Sequence, residues 1–214
     1  MATDLNRRIR QDLLYRLRWN LLGSLEDVKI ASRPDDQTIY VPFFDHPAAN
    51  ECLTEPPTSQ FEAYSRDCAS KREMQFAAPE EYRYKLPPNL SVTNEDGRPI
   101  TLGQFVRQVH AYLNRPEIME VIKAVKGAFR GEVVTGKDGS QGVAMTYGRP
   151  TTLPDGIEMF YAWDITYWNM TSETEGTVVF GISLFLEGET SLDAERFWAI
   201  RLRNAQSYDQ ERQA

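Results

Sequence analysis

The sequence predicts a single α+β domain, and three observations carry that reading. Two long apolar and aromatic runs, Met159 to Trp168 and Thr177 to Leu186, have the β-branched and ring-rich composition of paired strands joined by a polar connection. Between residues 102 and 130 the apolar spacing changes to that of helices: Phe105, Val109, Tyr112 and Leu113 share one face, and Ile118, Ile122, Val125 and Phe129 share another. The chain has 214 residues, of which 41% are hydrophobic and 11% aromatic, enough to bury one core without staples. The expected architecture is an antiparallel sheet of about five to seven strands carrying a central helical pair, with N- and C-terminal helices. The expected domain covers residues 1–205, includes a long irregular segment at 45–80, and ends in a polar tail at 206–214.

The net charge of -7 argues against nucleic acid, whose binders carry a basic stripe. The charge is uneven, because residues 1–22 hold five Arg against two Asp. No signal-peptide core is visible, and no run reaches the roughly 18 apolar residues of a membrane span. The expectation is an intracellular, cytoplasmic chain whose Cys52 and Cys68 remain free thiols.

In chain order, Thr3 or Asp4 can cap a helix to about Leu22, with Leu5, Ile9, Leu13 and Leu17 as its apolar stripe. Its Arg7, Arg8, Arg10, Arg16 and Arg18 would form either a solvated basic face or a peripheral contact with an anionic membrane. Val28 to Ala31 and Thr38 to Phe44 suit short strands. Residues 45–80 then lose periodicity, which marks them as a mobile or partner-facing segment anchored here and there by Phe61, Tyr64, Met74 and Phe76. Tyr82 to Leu86, Leu90 to Thr93 and Arg98 to Thr101 read as strands, the last two separated by an Asn94-Glu95-Asp96-Gly97 turn. Thr101 caps the 102–114 helix and Pro116 opens the next. Glu132 to Thr135 pairs with Val143 to Tyr147. Ser191 or Thr190 caps a last helix to about Ala205.

The succession Ile100-Thr101-Leu102-Gly103-Gln104-Phe105-Val106, then His110-Ala111-Tyr112-Leu113 and Pro116, resembles a fungal family known only as a domain of unknown function. That family's pattern runs a short strand into a "V-T-L-G-D-F-L…LHAFL…P" helix and ends a second helix in an Ala-Phe pair, here Ala128-Phe129. Asp164-Ile165 and Phe180-Gly181-Ile182 match its later strand pair. The resemblance spans about residues 90 to 187; the long middle segment and the Glu187-Gly188-Glu189-Thr190 exit depart from it. It implies an intracellular fungal α+β domain and supplies no activity.

Residues that could carry chemistry are few. Gly131 to Gly136-Lys137 matches most of a P-loop, but Asp138 stands where that loop needs a hydroxyl for magnesium, and a strand follows instead of a helix; a hairpin turn fits better. His46 with Cys52 or Cys68 offers an imidazole–thiolate pair for a hydrolase or transferase. These residues lack zinc-ligand spacing, and no cofactor or metal is expected. His110 suits a partly buried packing role with one ring nitrogen satisfied. The aromatic hairpin gives the remaining candidates, Tyr161, Trp163, Tyr167 and Trp168, which can stack on a sugar or anchor a protein interface if they are exposed; helices covering both sheet faces would make them core. The leading expectation is a non-catalytic interaction or regulatory module with a protein partner or self-association. A small-ligand or carbohydrate-binding domain is the alternative.

Overall fold

The computed structural model describes residues 9–33, 39–128, 131–135, 141–145, 158–163, 178–187 and 194–213. It is mixed helix and strand, as the sequence predicts. The elements in order are α1 (Gln11–Leu14), β1 (Leu17–Arg18), β2 (Lys29–Ala31), β3 (Tyr40–Pro42), β4 (Gln60–Ser65), α2 (Arg66–Met74), β5 (Leu90–Thr93), α3 (Leu102–Leu113), α4 (Pro116–Ala128), β6 (Gly131–Thr135), β7 (Gln141–Met145), β8 (Met159–Trp163), β9 (Val178–Leu186) and α5 (Ala194–Gln213).

The strands do not form one sheet of five to seven members. Among the described residues they form three sheets, ordered β1-β2-β3, β5-β4-β9-β8 and β6-β7. Nor is the main sheet wholly antiparallel: β4 pairs with β9 in parallel, Phe61 opposite Val178 and Ser65 opposite Ile182. The expected hairpin is present as the antiparallel β8–β9 pair, with Tyr161 opposite Leu184 and Trp163 opposite Ile182. β6 and β7 pair with Val133 opposite Val143, which makes the P-loop-like stretch a hairpin arm.

The N-terminal helix is the largest correction. Within residues 9–22 only Gln11–Leu14 is helical. Leu17, Trp19 and Leu21 are fully buried while Arg18 and Asn20 are half-buried, an alternation of period two that belongs to an extended chain. Leu13, Leu17 and Leu21 also fit a four-residue spacing, which is why the stretch reads as a helix in one dimension. Arg10, Arg16 and Arg18 are engaged with the chain itself; Arg7 and Arg8 lie outside the described residues. Arg16 donates to Ala31 O at 2.6 Å, Arg10 pairs with Asp12 at 2.7 Å, and Arg18 lies over the Tyr40 and Trp198 rings. A basic helix available for peripheral membrane contact is therefore not formed over the described part. No described helix is long and apolar enough to cross a membrane.

The 45–80 segment is not irregular throughout, because it contains β4 and α2. On β4, Phe61, Ala63 and Ser65 point inward, and only the first is large enough to register as apolar in the sequence. The Ser65 side chain then accepts from Cys68 N and starts α2. Residues 82–86, in contrast, form no strand; Glu80–Tyr82 is a 3-10 turn. Residues 98–100 likewise lie outside any strand, and Thr101 bridges to Cys52.

The core is centred on three rings brought together by β4, α3 and β9: Phe61, Phe105 and Phe180, with centroids 5.4 to 5.6 Å apart. Phe180, Ile182, Leu184 and Leu186 are all buried on that side of β9. On its other face, Phe185 stacks on Phe197 of α5 at 4.3 Å, so helices reach both faces of this strand. α5 continues to Gln213 instead of fraying from Gln206, and Tyr208 stacks on Tyr15. Thr101 caps α3 as expected, its side chain accepting from Gln104 N at 3.1 Å.

Candidate functional site

The sequence candidates separate in space. His46 Nδ1 accepts from Ala48 N at 3.1 Å and so caps the 3-10 turn Pro47–Asn50. Burial, then the nearby Arg16 charge, lowers its pKa below the ordinary 6.5. Cys68 is buried in the first turn of α2, where its sulfur accepts from Tyr84 Oη at 3.6 Å. Cys52 sits on the strand-like bridge to Thr101. Both thiols are unpaired, and no described hydrogen bond joins His46 to either of them. Tyr161 and Trp163 belong to β8, while Tyr167 and Trp168 lie outside the described residues. His110 takes the packing role expected of it: Trp19 Nε1 donates to its Nδ1 at 3.1 Å.

A different place has the shape of a binding site. β4 ends at Ser65 and α2 departs from it, so Arg66, Ala69, Ser70 and Glu73 fall at helical spacing along one face. After Met74 the chain turns back as a strap, and Phe76, Arg83 and Leu86 form the facing wall. Between the two walls lies a cleft of about 340 Å³, which Tyr64 also lines.

The strap is fastened by polar groups. Arg83 Nε donates to Ala78 O at 2.8 Å and its Nη2 to Phe76 O at 2.6 Å. Tyr84 N donates to Gln75 Oε1, and the Lys71 ammonium lies 4.7 Å from the Tyr84 ring centre. Glu80 reaches both walls, accepting from Arg72 at 2.6 Å and from Arg83 at 2.8 Å. Burial, then the hydrogen bond with Cys68, raises the Tyr84 phenol well above its ordinary 10.0. With its polar atoms tied inward, the strap leaves large apolar side chains outside: Phe76 is 76% exposed, Tyr82 75% and Met74 56%.

One glycine lies close behind two of the cleft's side chains. A methyl group on Gly181 of β9 would lie 2.8 Å from Arg66 Cδ and 2.9 Å from Tyr64 Oη. Two cleft side chains therefore close over bare backbone. A second cleft, lined by Arg18, Asp27, Lys29 and Glu158 among others, balances two cations against two carboxylates and has no comparable apolar rim.

No protein-family model, curated protein or solved structure matches the chain. Its function has to be argued from its own surface.

Sequence reasoning singled out residues 45–80 as partner-facing but gave Met74 and Phe76 an anchoring role. Phe61 does anchor; Met74 and Phe76 face solvent. The available signal was local: four large apolar residues, Met74, Phe76, Tyr82 and Leu86, stand among charged neighbours without helical or strand period.

Proposed function

We propose that this chain is a non-catalytic intracellular interaction module that meets a protein partner through the α2–strap surface. One observation carries the reading: Met74, Phe76, Tyr82 and Leu86, all exposed, are concentrated on a single thirteen-residue arm beside an arginine-lined cleft. Scattered exposed apolar side chains are ordinary on a folded protein, whereas a concentration with a polar rim marks an interaction surface. Aromatic and arginine side chains are also the types that dominate interface energetics. The two unpaired thiols support a reducing compartment. The enzyme alternative loses support because His46 and Cys68 hydrogen-bond elsewhere.

The test is a photo-crosslinking side chain placed at Phe76, compared with the same group at the exposed Glu95 on the Asn94–Gly97 turn, in cells of the source organism. Capture of a discrete partner at position 76, lost when Leu86→Asp is added, is the expected outcome. Equal capture at both positions, or none at either alongside measurable turnover of a substrate, would overturn the reading.

A further inference from the structure

We infer that the cleft between α2 and the strap is a docking site for an extended acidic peptide of a partner protein, and that Glu80 holds the position of that peptide's carboxylate. The inference rests on the interaction-module reading and names the partner's chemistry.

A carboxylate of the chain itself already bridges two of the arginines that line the cleft. Glu80 Oε1 accepts from Arg72 Nη2 at 2.6 Å and Oε2 accepts from Arg83 Nη1 at 2.8 Å, so one carboxylate spans two guanidiniums carried by opposite walls. Guanidinium groups present their donors as a planar fork that fits carboxylate oxygens. Arg83 is also fixed by its bonds to the Ala78 and Phe76 carbonyls, and these hold it in place if Glu80 leaves. Glu80 is 64% exposed at the start of a short 3-10 turn, and ion pairs this open to solvent are weak enough to exchange.

Charge selects the occupant. Once Glu80 is displaced, the cleft lining carries Arg66, Arg72 and Arg83 against one carboxylate, Glu73, in a chain whose net charge is -7. This basic site on an acidic protein attracts an acidic segment while the rest of the surface turns other acidic contacts away. Beside the arginines, Phe76 and Leu86 provide an apolar seat, so the segment pairs its carboxylates with a large apolar side chain. The cleft is a half-open trough, not a closed cavity. Small-molecule sites typically enclose most of their ligand, whereas a trough of this kind leaves room for chain to enter and exit.

The test uses fluorescence anisotropy with the full chain. The probe is a labelled peptide pool with a randomised apolar pair between Glu and Asp flanks, compared with a matching pool with Gln and Asn flanks. Expected are binding of the acidic pool only, weakening with salt, and a loss of about tenfold or more in Arg72→Gln/Arg83→Gln. Thermal melts confirm that the variant is folded. Glu80→Gln removes the internal competitor and should tighten binding about two- to fivefold; a purely structural Glu80 would weaken it instead. Equal binding of both pools, a loss of affinity in Glu80→Gln, or displacement by free glutamate at the peptide's own concentration would overturn the proposal. If the acidic pool fails while the crosslinker at position 76 still captures a partner, the acidic-peptide inference falls and the interaction-module reading stands. If both fail, both fall.

Discussion

At the scale of single residues, His110 shows how a side chain outside any reaction can set a pH limit. Trp19 is fully buried and its indole N–H donates to His110 Nδ1, so that nitrogen must be unprotonated. Burial lowers the His110 pKa below 6.5, an effect opposed by the smaller attraction of Glu26. The sign follows from proton uptake: the unfolded chain binds the proton first as pH falls through about 6.5, so stability is complete above that value and declines below it. Thermal melts between about pH 7.5 and about pH 5 should fall toward acid, and less steeply in His110→Gln. At pH 7.5, His110→Ala should cost about 1–3 kcal/mol in urea unfolding, because the buried indole donor loses its acceptor. Lys126 bears on stability through a buried ion pair instead. Its ammonium lies 3.6 Å from Asp67, joining α4 to α2, and both side chains are almost wholly buried. Lys126→Ala should cost about 3 kcal/mol by breaking this buried ion pair, and Asp67→Asn in the same chain should recover part of that loss.

At the scale of elements, the helices α3 and α4 and the strands β5 and β9 were legible in the sequence, because caps, turn residues and period all agree there. Thr101, Pro116 and the Asn94–Gly97 turn give local signals that need no tertiary context; Gly97 takes φ +73°, the conformation expected of it. β4 and α2 were not legible. Inward residues as small as Ala63 and Ser65 leave no apolar alternation, and α2 is polar on most of its surface. Residues 15–22 were misread because leucines spaced by four satisfy a helix and a strand alike; the long-range pairing of Leu17 and Arg18 with β2 decides between them. The cleft was half legible: its exposed apolar residues were visible, but nothing in one dimension showed that Arg83 would return beside Arg72. Close packing at α3 gives a prediction for this scale. A methyl group at Gly103 would lie 2.9 Å from the Ala49 carbonyl oxygen, a backbone atom that cannot swing aside. Gly103→Ala should therefore destabilise by about 1–3 kcal/mol in thermal unfolding, although alanine is the better helix former by about 1 kcal/mol. Gly181→Ala would press on Arg66 Cδ at 2.8 Å and on the rigid Tyr64 ring at 2.9 to 3.1 Å, so it too should lower the melt.

At the scale of the molecule, the two chain ends support each other. Arg201 of α5 donates to Leu14 O at 2.9 Å and lies over the Tyr15 ring, and Tyr208 stacks on Tyr15 from the same helix. On its other side α5 covers Phe185, packing Phe197 and Trp198 against the sheet. Deleting residues 194–213 should thus do more than remove a tail. It should expose Phe185 and Tyr15 together, seen as increased binding of a hydrophobic dye and faster proteolysis of the N-terminal region. Unchanged dye binding would show that α5 is an appendage.

The parallel pairing of β4 with β9 also bears on how the protein is made. Phe61 meets Val178, so about 120 residues must leave the ribosome after β4 before its second neighbour exists. At bacterial to eukaryotic synthesis rates of about 5–20 residues per second, that interval is on the order of ten seconds. Through it the nascent β4 can pair only with β5 on one edge, and Phe61 lacks the Phe180 ring that completes its cluster. The other edge stays unpaired until then, an open template for other strands. This chain accordingly depends on slow, late closure of its central sheet, and chaperone demand during translation should track the exposure of that single strand.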